Sequence, residues 1–258
     1  IWLMAVYESD LVNDPQKYRL TQELVNIRKL FGVHFFPLSS IYLSKLIGKT
    51  CFLGQPSACG VTHGSRNGLE TELFQKFLGR YVIGTDISKT APFFGLIQHD
   101  MHKDLPLEIV PQESLGFVFS NSWDHTMDPF LMFKAWAKSM HPRSIMIIEK
   151  QRSSGNKPTA SDPCAMTKDE IIDLVTKVRP DYDDHPLAYC GELQLNYFPK
   201  AAYVSDFGVF QGTATCLRND DQNFIHLTDF GGNPRPLNHL IFARSRSESH
   251  LLSVRQAV

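Results

Sequence analysis

The sequence lacks the cysteine pattern of either a disulfide framework or a zinc site. Its five cysteines, Cys51, Cys59, Cys164, Cys190 and Cys216, are odd in number, widely spaced and contain no CxxC pair. They read as reduced thiols of a cytoplasmic protein. Long apolar runs are missing as well: no stretch approaches the roughly 20 residues that a membrane-spanning helix needs. The opening "IWLMAV" has neither the basic flank nor the small-residue cleavage site of a signal peptide. No membrane partner is therefore expected. An excess of one charge is also absent, since 26 Lys and Arg stand against 27 Asp and Glu, for a net charge of -1. With a pI of about 6.9 the chain has no dominant phosphate-neutralising character, which disfavours nucleic acid as a partner. There is no repeat or low-complexity tract. What remains is 258 residues, 43% hydrophobic and 21% charged, enough for one large domain or one domain with a small cap.

The first fifty residues read as helical. In "YRLTQELVNIRKLFG", Leu20, Leu24, Ile27, Leu30 and Phe31 recur at helical spacing, and Gly32 supplies a stop. A second helix is expected in "SSIYLSKLIG", with Ser39 or Ser40 as its cap and Gly48 at its end. From about Gly60 the pattern alternates. "ACGVTH", "RYVIGTD", "FGLIQHD", "LGFVFSNS" and "SIMIIEK" read as strands. "GLETELFQKFLG" reads as a helix that buries Leu69, Leu73, Phe74, Phe77 and Leu78 and ends at Gly79. "DPFLMFKAWAKSM" opens with Asp128 as N-cap and Pro129 in the first helical position. Thr167 and Glu170 stand at capping-box spacing before Ile171, Leu174, Val175 and Val178. Two late apolar stretches, "GTATCLRN" and "NHLIFARS", alternate like strands, and the absence of a helix between them implies an antiparallel pair. The tail after Ser247 is expected to fray. Strands alternating with helices imply an α/β fold with a parallel sheet covered on both faces.

In such sheets ligands sit beyond the carboxyl ends of the strands. After the first strand comes "GSRNG", where Gly64 and Gly68 form a turn leading into a helix whose free N–H groups favour a negative group. After the second comes Asp86, followed by Ile87; its carboxylate can accept hydrogen bonds from both hydroxyls of a ribose or, alternatively, cap the next helix. After the third come Asp100 and Met101, an acid that can accept an exocyclic amine beside a thioether that can pack on a ring. After the fourth come Asn121 and Ser122. The GxGxxG fingerprint of NAD enzymes is absent, because Ser65 and Arg66 do not reproduce it.

"GSRNGLETELF", "VIGTDIS", "IQHDMHKDLP", "SNSWDHTMDPFLMFKAW" and "SIMIIEK" resemble the successive motifs of class I S-adenosylmethionine-dependent methyltransferases, in particular the broad type-11 group that modifies small molecules. The resemblance covers about residues 60–151, with a looser match through the terminal strand pair. It implies a Rossmann-like sheet of seven strands, mostly parallel with the last antiparallel, and helices on both faces. It also implies S-adenosylmethionine as cofactor: Gly64, Arg66 and Gly68 around the methionine portion, Asp86 with Ile87 at the ribose, Asp100 and Met101 at the adenine, and Asn121 and Ser122 nearby. Three positions depart from the family. Thr62 stands in place of an acid, Arg66 in place of a glycine, and "HPRS" in place of Pro-Gly-Gly. The expected division is a helical cap over residues 1–50, a methyltransferase domain over 51–247 and a flexible tail over 248–258.

For the chemistry, "NSWDHTMDP" is the richest stretch. His125 can serve as general base with Asp124 orienting it, or it can be a structural histidine bonded to backbone. Trp123 lines the pocket or packs. The group His99, Asp100, His102 and Asp104 yields no compact ligand triad on a strand end, so no metal is expected. The Asp-Asn pair of catechol-type enzymes is absent, with Glu149-Lys150 at that place, and no DPPY-like tetrapeptide points to adenine-amine methylation. Cys164 reads as a core thiol and His185 as a loop residue. The expected acceptor is a small molecule carrying a hydroxyl. The alternatives are a binding protein that keeps the fold without turnover, and an RNA ribose methyltransferase using Lys45, Asp124 and Lys150.

Overall fold

The computed structural model describes residues 5–6, 14–28, 37–51, 53, 58–150, 158–159, 162–180, 186–197, 203–205, 208–210, 227–228, 234–245 and 247–258. In chain order the strands are β1 (Ala5–Val6), β2 (Gly60–His63), β3 (Val82–Asp86), β4 (Ile97–Gln98), β5 (Leu115–Ser120), β6 (Met140–Lys150), β7 (Cys164–Ala165), β8 (Ala188–Tyr197), β9 (Tyr203–Ser205), β10 (Gly208–Phe210), β11 (Leu227–Thr228) and β12 (Pro234–Ser245). The α-helices are α1 (Pro15–Arg28), α2 (Pro37–Thr50), α3 (Leu69–Leu78), α4 (Pro129–Ser139), α5 (Lys168–Val175) and α6 (Glu248–Ala257).

The main sheet runs β4-β3-β2-β5-β6-β12-β8, with the two-residue β11 also paired to β12. The first five strands are parallel, and β12 is antiparallel to both β6 and β8. The antiparallel strand is thus the last of the chain, inserted between β6 and β8, as the resemblance implied. Side chains alternate across the sheet, one of the two periodicities from which such a core is built. Val118 of β5 and Met146 and Ile148 of β6 join Phe133, Trp136 and Ile171 on one face. Phe117, Phe119, Ile145 and Ile147 join Leu43, Ile47, Leu73, Phe74 and Val254 on the other. Fully burying a side chain such as Phe74 contributes about 1.5–3 kcal/mol.

Close approach of helix to strand needs glycine at Gly84. A Cβ there would lie 2.3 Å from Leu96 Cδ2 and 2.4 Å from Thr71 Oγ1. The caps appear where local chemistry put them. Asp128 accepts from Leu131 N at 2.9 Å, Thr167 and Glu170 close the reciprocal box, and Gly79 ends α3 at φ 61°.

Several expectations need correction. Helix α2, within the region expected as a helical cap, packs closely on the sheet: Leu43, Leu46 and Ile47 are buried in the same cluster as α3 and α6 side chains. The segment expected as a tail forms α6, which buries His250 and Val254, and His250 Nε2 hydrogen-bonds the Thr50 carbonyl at 2.9 Å. The strand beside β12 is β8, whose alternation is broken in the sequence by Gly191 next to a register shift. The segment first read as that strand, residues 212–219, lies outside the described residues, as do Leu30, Phe31, Gly32, His185 and Cys216. The third strand shrinks to two residues, whereas the fifth begins four residues early and takes "HPRS" into β6.

The largest inversion is in α1. Leu20, Leu24 and Ile27 face outward, at 56%, 48% and 55% exposure, while Tyr18, Gln22 and Asn26, one turn apart, are buried. No described helix is long and apolar enough to cross a membrane.

Candidate active site

The carboxyl ends of β2, β3, β4 and β5 open on one cleft, roofed by the polar face of α1. Its floor begins at the turn after β2. Gly64 (φ 73°), Arg66 (φ 40°) and Gly68 (φ 77°) adopt left-handed conformations that glycine tolerates best. A Cβ on Gly64 would also meet Ser122 Cβ at 2.6 Å. The turn is pinned by Ser65 N donating to the Thr85 carbonyl at 2.9 Å. Thr62 is buried in a hydroxyl cluster, 2.6 Å from Thr71 Oγ1 and receiving Ser65 Oγ at 2.8 Å. A neutral hydroxyl network therefore braces the turn at the position where the resemblance implied a carboxylate. Gly68 caps α3 without a side-chain hydrogen bond, and Leu69 N donates to Asn67 Oδ1 at 3.4 Å.

Asp86 ends β3 and is buried. Its Oδ1 accepts from Ser88 N and from Asn26 Nδ2, both at 2.8 Å, and its Oδ2 accepts from Arg66 N at 2.9 Å. Burial raises its pKa, against the lowering effect of these donors and of the Arg66 charge. Both sequence readings of Asp86 meet here: it caps the turn at Ser88 and also lines the cleft. Arg66 Nε reaches Asn26 Oδ1 at 3.3 Å, so Asn26 links the two.

Asp100 accepts from His102 Nδ1 at 2.8 Å and from His102 N at 3.1 Å. The His102 ring bond is the chief reason its pKa falls to about 2. Met101 lies beside it, with its carbonyl held by Trp136 Nε1 at 3.1 Å.

At the end of β5, Ser122 Oγ contacts the Gly64 carbonyl and Asn121 Oδ1, and Asn121 itself is buried away from the cleft lining. Trp123 packs, donating Nε1 to the Glu149 carbonyl at 2.9 Å. His125 sits in a 3-10 turn over Trp123–His125 and lines the cleft. Its Nδ1 is 2.8 Å from Gln22 Oε1, and its carbonyl accepts from Tyr18 Oη. The carboxylate nearest to Nε2 is Asp162 at 3.2 Å; Asp124 is at 3.9 Å. Asp124, His125 and Asp162 each bring one ligand atom within 4.8 Å of the others, a grouping the sequence did not suggest.

Of the residues singled out from the sequence, Gly64, Asp86, Ile87, Asp100, Met101, Ser122 and His125 line the cleft, whereas Arg66, Gly68, Asn121 and Asp124 stand behind it. Tyr18, Gln22, Asn26, His99 and His102 line it too and were not assigned to it. The one signal for the α1 trio was a polar i, i+4, i+8 series opposite the apolar stripe.

No protein-family model matches the chain, and no curated protein matches its sequence. Solved structures do. The 1,6-didemethyltoxoflavin-N1-methyltransferase of Burkholderia thailandensis superposes with a TM-score of 0.54 over 90% of this chain and 91% of its own, at 12% identity. The fold is that of class I methyltransferases. A SAM-dependent methyltransferase from Aquifex aeolicus covers 88% of this chain and 98% of its own at 11% identity and TM-score 0.47. One from Archaeoglobus fulgidus covers 80% and 92% at 14% and 0.47. In this chain the turn after β2 and the acids after β3 and β4 line one crevice beyond the carboxyl ends of the parallel strands.

Proposed function

We propose that this chain binds S-adenosylmethionine in the β2–β5 cleft and transfers its methyl group to a small-molecule acceptor bearing a hydroxyl. The observation that carries the reading is Asp86: a buried carboxylate at the end of β3, beside a glycine turn and lining the cleft. The residues present fit that cofactor. Asp86 and Asp100 are acceptors for ribose hydroxyls and an adenine amine, Ile87 and Met101 offer apolar surface, and the Gly64–Gly68 turn lets the cofactor approach the backbone closely. Asn121 and Ser122 brace the turn from β5. When bound, the cofactor supplies an electrophilic methyl group on a sulfonium. The chain's share is to hold the acceptor in line and exclude water, from which much of the rate arises. His125, which lines the cleft, acts as base, with the Asp162 carboxylate beside Nε2 to stabilise the ring as it takes up the proton. The thiols of Cys51, Cys59, Cys164 and Cys190 are free, which supports a cytoplasmic location.

A second reading, a binding protein without turnover, is favoured by one observation: both ring nitrogens of His125 already face protein oxygens.

Calorimetric titration with S-adenosylmethionine and S-adenosylhomocysteine, with NAD as control, tests the proposal. Micromolar binding of the sulfur compounds and none of NAD is expected, with Asp86→Ala weakening affinity about 10- to 100-fold. Unchanged affinity in that variant overturns the placement of the cofactor. Tight binding with no methyl transfer across an acceptor screen favours the second reading.

A further inference from the structure

Asp100 is held by a directional chain of hydrogen bonds that begins on another element. The ring of His102 lies between Asp100 and the loop leading into α4. Its Nε2 faces Thr126 Oγ1 at 2.6 Å and the backbone N–H of Met127 at 3.3 Å. An N–H can only donate, so Nε2 is an acceptor and the proton resides on Nδ1. Nδ1 is 2.8 Å from Asp100 Oδ1, a carboxylate oxygen that can only accept, which requires the same tautomer. Thr126 Oγ1 accepts from Asp128 N at 3.1 Å, and its own proton is thereby directed at His102. Thr126 is fully buried, so water does not compete at that end. The second hold on Asp100 comes from the His102 backbone N–H at 3.1 Å, on the same oxygen. Oδ1 thus accepts twice, while Oδ2 has Lys103 Nζ at 4.0 Å, and Asp100 lines the cleft.

We propose that His102 is a positioning residue that fixes Asp100 as an ionised, acceptor-only group and thereby makes the site selective for an amine-bearing purine. This rests on the reading of Asp100 as the adenine-facing acid. The 6-amino group of adenine donates to Oδ2. Hypoxanthine presents a carbonyl oxygen at that position, which a fixed carboxylate repels. Without the His102 ring, Asp100 loses the donor that holds its orientation, and the difference between the two bases shrinks.

The experiment compares binding of S-adenosylhomocysteine and S-inosylhomocysteine by titration calorimetry, with folding followed by circular dichroism. The wild-type chain is expected to prefer the adenine compound about 10- to 100-fold, the range for a hydrogen bond to a charged group. In His102→Ala the preference falls to about threefold or less. In His102→Asn, whose side-chain amide can donate from nearly the place of Nδ1, the preference is retained. A merely structural histidine would weaken both compounds alike and leave the ratio unchanged, and that result overturns the proposal. Should His102→Ala fail to fold, Thr126→Val removes the hydroxyl bonded to Nε2 and reads the same ratio, with a fall of a few-fold expected and no fall overturning the role. A wild-type chain that binds both compounds equally refutes the adenine-facing reading of Asp100 itself. That outcome is distinguishable because it appears before any variant is made.

Discussion

Glu70 occupies the second position of α3, and it is buried where an acid in a first turn would ordinarily lie in water. Burial is the main cause of its pKa rising from 4.5 to about 8, and the nearby carboxylates of Glu149 and Asp86 add to the rise. Its own backbone N–H and the Arg66 charge offset only part of this. Between pH 4.5 and about 8 the folded chain therefore holds a proton that the unfolded chain has released. Unfolding releases that proton, so stability falls as pH rises through this window and is level on either side of it. At about 1.4 kcal/mol per pH unit the interval comes to roughly 5 kcal/mol. A favourable helix N-terminus returns about 0.3–1 kcal/mol to the ionised form, leaving on the order of 4 kcal/mol. Glu70→Gln preserves the shape of the protonated acid and cannot ionise. Urea unfolding at half-unit intervals from pH 4.5 to 9 should show variant and wild type alike at the acid end. The wild type should then lose stability relative to the variant steadily, by on the order of 4 kcal/mol at pH 8.5. Parallel curves across the window would refute the reasoning, since subtracting the variant removes every other titrating group.

Two further outcomes are expected. Gly84→Ala forces a methyl group into the contact with Leu96 and Thr71 and should destabilise the chain by about 1–3 kcal/mol in chemical unfolding, with a smaller loss counting against close packing of α3 on β3. Asp162→Asn should lower turnover at least tenfold while leaving S-adenosylhomocysteine affinity unchanged, and Asp124→Asn should lower it only slightly, because Asp162 is the nearer carboxylate to His125 Nε2. The reverse ranking would return the orienting role to Asp124.

Much of the framework was legible because it depends on neighbours within a few residues. Asp128 before Pro129, Thr167 before Glu170 and Gly79 after α3 act within one turn of helix, and each appears as expected. The buried strands β3, β5 and β6 declared themselves through apolar runs, and the order of strand ends brought Gly64, Asp86, Asp100 and Ser122 to one cleft. Strand β8 did not declare itself, because the unmatched Cys190 between Tyr189 and Gly191 shifts the phase of alternation partway along.

Helix α1 marks the boundary between the two kinds of information. Its periodicity established a helix with an apolar and a polar side, but periodicity says nothing of which side meets the protein. The cleft beneath offers hydrogen-bonding groups, namely the Asp86 carboxylate, the His125 carbonyl and the His125 ring, and these take Asn26, Tyr18 and Gln22 inward while the leucines face out. Burying an apolar face against these polar groups would forfeit the hydrogen bonds from Asn26, Tyr18 and Gln22, which outweighs a few exposed leucines, so the polar face wins. The same holds for His125, whose carboxylate at 3.2 Å comes from Asp162, 37 positions along the chain, rather than from adjacent Asp124. His102 shows it again through Thr126 and Met127. Local order, fold class and the strand-end acids follow from residue type and spacing. The partners that orient those acids and the histidine come from distant segments, brought within hydrogen-bond range only when the sheet and its helices close around the cleft.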